Sequence, residues 1–141
     1  MLWNEFQDTA ERLTRGTAEG DWRSAISRTY YAVFHFFRKF FLTHGVDVGQ
    51  GGQSHFNLYA GLANCGYASI ENLGGQLDML RRNRIAADYN LSSPIDKAFA
   101  LAAVQRSRAL VAVFQALLGT VPASQIAAGA KRYLKSIGHI R

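Results

Sequence analysis

Three arginines stand within four positions at Arg81-Arg82-Asn83-Arg84, and a carboxylate and a phenol follow at Asp88-Tyr89. A guanidinium fork grips a phosphate through two parallel N–H groups, which an ammonium cannot do. A phosphate contact is therefore the chemistry this cluster offers. On a helix, Arg84 and Asp88 would also be four residues apart and able to pair with each other. A phosphate contact and a structural ion-pair network are both open readings of these residues.

Other reactive types are placed less tellingly. The histidines are His35, His44, His55 and His139. None forms an HxxxH or HExxH pair, so no metal is expected. His35 reads as a residue at the edge of an aromatic face. The single cysteine, Cys65, lies between Asn64 and Gly66. With no basic neighbour to favour its thiolate, it reads as a buried or loop cysteine. One cysteine allows no internal disulfide and fits a reducing compartment. No serine occupies a Gly-x-Ser-x-Gly turn. The loop Gly49-Gln50-Gly51-Gly52-Gln53-Ser54 lacks the Lys-Ser/Thr ending and the preceding strand of a phosphate loop. It reads as a mobile solvent loop, and no cofactor is expected.

The charge is uneven. The chain of 141 residues carries a net charge of +6, with 12 Arg against 4 Lys. After Asp96 there is no acidic residue, whereas Lys97, Arg106, Arg108, Lys131, Arg132, Lys135 and Arg141 are basic. The N-terminal 21 residues are acidic instead, with Glu5, Asp8, Glu11, Glu19 and Asp21 against Arg12 and Arg15. Such asymmetry steers phosphate-bearing ligands or docks protomers, or simply forms solvated helix faces. No signal-peptide pattern and no long apolar run occur, so a cytoplasmic protein without a membrane span is expected.

Helices must position these groups. The chain is 48% hydrophobic with only 2 prolines, which excludes a disordered chain and argues against a strand-and-turn fold. Leu2, Phe6, Ala10 and Leu13 predict a helix over 2–15. Asp21 is the expected N-cap of a long helix over 22–44. Its broad face of Ile26, Tyr30, Val33, Phe34, Phe37, Phe40 and Phe41 needs partners on two sides. Ser54 is the expected cap of a helix over 55–64. Ile70, Leu73, Leu77 and Leu80 continue the period to Arg81, with Gly74-Gly75 either permitting close approach or breaking the helix. Residues 82–92 read as a polar connection. Ser93-Pro94 reads as the start of a helix that runs to Leu118. Pro122 opens a last helix through Lys135. The expectation is all-α: an antiparallel up-and-down bundle of four to five helices. One domain is expected over 1–141, with a core at about 5–120 and a C-terminal helical extension at 121–141.

Two stretches together resemble a known family. Arg28-Thr29-Tyr30-Tyr31-Ala32-Val33-Phe34-His35 resembles the Arg-x-Tyr-Tyr-Ala-x-Phe-His signature of HEPN-domain proteins. Arg82 to Tyr89 is similar to the Arg-rich, Ala-Asp-Tyr segment of a bacterial and archaeal HEPN branch, in which a His like His55 commonly opens the third helix. The resemblance implies that Tyr30, Tyr31 and Phe34 are structural motif positions. It implies a helical bundle that often forms a homodimer and often pairs with a minimal nucleotidyltransferase in toxin–antitoxin modules. Many members are metal-independent endoribonucleases, in which the 2′-OH attacks the adjacent phosphate, His moves protons and Arg stabilises the developing charge.

That implied motif is an Arg, a polar residue, a few further positions and a His. Arg82-Asn83 matches its first half. Its histidine would fall near Ala87 or Asp88, and neither is one. An aspartate, ordinarily titrating at about 3.9, is a poor proton donor at neutral pH. The leading expectation is therefore binding of RNA, a nucleotide or a nucleotidyltransferase, without cleavage, with Arg28, Arg82 and Arg84 as phosphate ligands. The alternative is an active endoribonuclease using Arg82 or Arg84 with Asp88, Tyr89 or a spatially adjacent His55. A helical interaction module with no nucleic-acid ligand is the third reading.

Overall fold

A computed structural model describes residues 1–141. It is all-helical: α1 (Trp3–Thr14), α2 (Glu19–Thr43), α3 (Gly52–Ala63), α4 (Ala68–Tyr89), α5 (Lys97–Leu117) and α6 (Ala123–Ser136). There are six helices rather than four or five, because the short α3 and the C-terminal α6 each form a full helix, of 12 and 14 residues. No helix is long and apolar enough to cross a membrane.

The long α2 is the axis of the bundle. It packs against α1, α4 and α5, while α3 packs against α4 and α6. Its aromatic face explains this. Tyr30, Phe37 and Phe41 are fully buried with Leu58, Leu62, Ile70, Leu77, Leu110 and Ile126. Phe114 of α5 receives Phe36, Phe37 and Phe40 edge-on, at 5.8, 5.0 and 4.9 Å between ring centroids. Edge-to-face packing places the positive ring edge on the negative face and adds to the area buried. A smaller alanine-rich cluster, Ala25, Ile26, Ala87, Ala100 and Ala103, closes the other end of α2 against α4 and α5.

Helix α4 runs unbroken through Gly74-Gly75. Gly74 is the useful glycine: a Cβ there would lie 2.5 Å from the Ala63 backbone nitrogen, so its absence lets α3 and α4 touch backbone to backbone. Gly75 faces open space.

Four boundaries differ from the sequence expectation. Residues 82–92 are not a polar connection, because α4 continues to Tyr89. Arg23 of α2 accounts for this. It donates to the carbonyls of Ala87 at 2.9 Å, Asn90 at 3.2 Å and Ser93 at 2.5 Å. Helix α4 has no basic residue in its own last turn, so α2 supplies the cation that its C-terminal carbonyls need. Helix α5 starts after Asp96 rather than at Ser93-Pro94. Arg23 and Glu19 hold residues 93–95 outside the helix, Glu19 by accepting from the Ile95 N–H at 3.1 Å. The Asp96 carboxylate caps the helix instead, accepting from the Phe99 N–H at 2.8 Å. Asp21 is not the N-cap of α2 but lies within its first turn, where it accepts from the Ala18 N–H at 3.3 Å. Ser54 likewise lies inside α3 and donates to the Gly51 carbonyl. Gly49 to Gln53 are exposed or half-exposed, and the segment just before them is packed. Val46 and Val48 are buried, and Asn57 donates to the Val48 carbonyl at 3.0 Å.

Candidate functional site

Helices α2, α3 and α4 converge on one aromatic and cationic cluster. The successive rings of Tyr30 and Tyr31 meet edge to face at 5.4 Å. Arg84 of α4 lies over both, with its guanidinium carbon 5.5 Å from each centroid. This is a cation–π arrangement on two faces at once. The Arg84 side chain is only 12% exposed, and its Nε is buried without a hydrogen-bond partner. Its one ion pair is long, 3.8 Å from Nη1 to Asp88 Oδ2. Ser27 Oγ donates to the same oxygen at 3.2 Å.

Histidine 55 completes the cluster from α3. Its ring stacks on Phe34 at 4.5 Å, and its Nδ1 lies 2.6 Å from the Tyr30 hydroxyl. Burial lowers its pKa below the usual histidine range, and Arg84, Arg81 and His35 lower it further, so the imidazole is neutral at physiological pH. Burial drives the Tyr30 phenol far upward, so it stays protonated. The Tyr30 hydroxyl has no other protein partner. A buried O–H must be satisfied, which makes the phenol the donor and Nδ1 the acceptor. The remaining proton then sits on Nε2. In this tautomer Nε2 of His55 is a hydrogen-bond donor and not a free base.

The sequence candidates are not all alike. Arg82 is 72% exposed and shares Asp78 with Arg81, at 3.0 and 2.8 Å. Arg81 also covers the Tyr59 ring at 5.0 Å. Tyr89 is 75% exposed at the end of α4. Arg28 is exposed and lies over Phe6 at 5.8 Å, with no ion pair joining it to α4. Tyr30, Tyr31, Phe34, His55, Arg84 and Asp88 are thus brought together, whereas Arg28, Arg82 and Tyr89 make no hydrogen bond or ion pair with them. Sequence reading missed Asp78, although its position three and four residues before Arg81 and Arg82 is an ion-pair spacing. It also missed Arg23, for which no local signal exists because its acceptors lie more than 60 residues away.

His35 is half-buried at the edge of the aromatic face. Its ring stacks on Phe6 at 5.2 Å and meets Phe34 edge-on at 5.1 Å. Burial, then Arg38, lowers its pKa. Cys65 is buried, and burial raises its thiol pKa, which keeps it unreactive. No group of three His, Cys, Asp or Glu side chains is arranged to hold a metal ion.

No curated protein and no solved structure matches this chain significantly. A family model does. The HEPN domain model matches residues 4–117, a span from the first turn of α1 to the last residue of α5 that includes every side chain of the cluster. The chain belongs to the HEPN domain family.

Proposed function

We propose that this protein binds single-stranded RNA through a phosphate held at Arg84 and does not cleave it. One observation carries the reading. Arg84 is pinned over two tyrosine rings, has a buried unpartnered Nε, and holds its only carboxylate at 3.8 Å. A guanidinium already desolvated and oriented loses little freedom when it takes a phosphate. The His55 Nε2–H offers a second donor, and Tyr31, half-buried beside it, offers a ring for a base. The position where an active family motif would carry histidine holds Asp88, engaged by Ser27 and Arg84.

A second reading is a metal-independent endoribonuclease. The observation that favours it is the placement of His55 and Arg84 over the same Tyr30 ring. Cleavage would need Nε2 of His55 to accept a proton from the 2′-OH. That requires the Tyr30–His55 hydrogen bond to reverse, which leaves the phenolic proton unsatisfied.

We further propose a homodimer or a nucleotidyltransferase complex, as in toxin–antitoxin modules. The apolar side chains of Met79, Ile85 and Tyr89, exposed along α4, supply a surface for it. The test of function uses a fluorescent unstructured RNA at low salt. Arg84→Ala is expected to weaken binding about tenfold and to flatten the salt dependence by about 0.7 per lost phosphate contact. Gel analysis of the same RNA should show it intact. Cleavage that is lost in His55→Ala would install the endoribonuclease reading instead.

A further inference from the structure

Helix α2 carries a second face that shares only Tyr31 with the cluster. Arg28, Tyr31, His35 and Arg38 recur at three- and four-residue steps and so lie on one side of the helix. Toward the C-terminal end of α2 this face opens into a cleft against the first turns of α1. The cleft has a volume of about 500 Å³, within the range of small-ligand sites. Trp3, Phe6 and Leu42 supply apolar walls, and His35, Arg38 and Lys39 supply cationic and polar ones. No lining residue is acidic.

Arg38 is the telling residue. Its Nε is buried without a hydrogen-bond partner. None of the ion pairs in the chain uses Arg38 or Lys39. The nearby Glu5 carboxylate is committed to the Leu2 N–H at 2.5 Å. Buried polar groups in folded proteins almost always have partners, so an orphaned guanidinium donor beside an acid-free cleft suits an anion. The flat stack of Phe6 on His35, at 25° between planes, suits a planar ring beside that anion. A planar ring joined to an anion is the chemistry of a nucleoside phosphate. The cleft neighbours the Arg84 cluster along α2: Tyr31, under Arg84, lies 6.2 Å from His35, which lines the cleft. From Tyr31 to Arg38 the helix advances about 10 Å, the reach of a dinucleotide.

We propose that a strand held at Arg84 runs along this face of α2 and places a neighbouring nucleotide in the cleft, its base against Trp3 and Phe6 and its phosphate on Arg38 and Lys39. This inference rests on the RNA-binding reading. A second arm of the test separates the two. In a Trp22→Phe protein, Trp3 is the sole tryptophan and reports on the cleft. Hexaadenylate is expected to quench Trp3. The Arg38→Gln/Lys39→Gln pair should weaken hexaadenylate about tenfold by fluorescence anisotropy, with an unchanged melting temperature. Lys39→Glu alone, at an exposed position, should weaken it in the same direction.

Hexaadenylate binding that depends on Arg84 but leaves Trp3 unquenched and ignores both sets of substitutions overturns the cleft and keeps the functional reading. AMP that quenches Trp3 in an Arg38-dependent way, with no hexaadenylate binding, overturns the strand path together with the functional reading and makes the cleft a free-nucleotide site. Silence from both ligands overturns both.

Discussion

Two cationic regions of this molecule have similar residues and opposite arrangements. On α4, the arginines that dominate the sequence are largely neutralised: Asp78 holds Arg81 and Arg82, and Asp88 faces Arg84. On the outer face of α2, Arg38 and Lys39 have no acidic partner, and an aromatic cleft lies beside them. Density of positive charge in the sequence is therefore a poor guide to positive potential on the surface. What counts is which cations have a carboxylate within an ion-pair distance, and at short range that is decided by helical register. Arg84 lies between the two cases. Its pair is long and its stacking on Tyr30 and Tyr31 is close, so it is oriented without being fully neutralised.

The two regions also depend on different packing, and substitutions can separate them. The α4 cluster needs α3 and α4 in backbone contact at Gly74. Gly74→Val should cost about 3 kcal/mol by overpacking, measured as a lower urea midpoint. It should abolish the Arg84-dependent component of RNA binding at temperatures where the protein remains folded. If instead stability is retained, the α3–α4 approach is looser than a Cβ-free contact demands. Arg23→Gln comes next. The substitution strips a charged donor from the end of α4 while keeping its length in part. A loss of about 2 kcal/mol is expected, with faster amide exchange at residues 86–95. Protection there that matches the unsubstituted protein would mean that the alanine cluster around Ala87 holds the helix end without Arg23.

The sequence reveals these two regions unequally. The bundle is legible because the apolar period of α2 survives its whole length, and Ile26, Tyr30, Val33, Phe37 and Phe41 are buried as that period requires. The family is legible through the resemblance of the Tyr-Tyr-Ala-x-Phe-His stretch, and the family match bears out the family itself. The last turns of α4 are not legible. Arg82 to Asp88 is polar enough to read as solvent loop, and what keeps it helical is a distant arginine and one buried alanine, Ala87. The start of α5 misleads for the same reason, since the Ser93 carbonyl and the Ile95 N–H are taken by α2. The cleft is half legible. The Arg28-Tyr31-His35-Arg38 spacing stands in the sequence, but the α1 wall that turns a stripe into a cavity does not.

The smallest expected effect bears most directly on the contrast. Asp78→Asn keeps the shape of the side chain and removes the charge that ties down Arg81 and Arg82. Helical pairs at three- and four-residue spacing contribute about 0.3–0.5 kcal/mol each. The substitution should therefore lower stability by less than about 1 kcal/mol. It should also free two guanidinium groups beside Arg84. Each new phosphate contact steepens the salt dependence of single-strand binding by about 0.7, so RNA affinity should rise several-fold at low salt and converge with the parent protein at high salt. The Trp3 signal at saturation should not move, because Asp78 lies on α4 and the cleft is walled by α1 and α2. An unchanged affinity and slope would show that Arg81 is held by the Tyr59 ring rather than by Asp78, and that neutralisation is not what distinguishes the two regions.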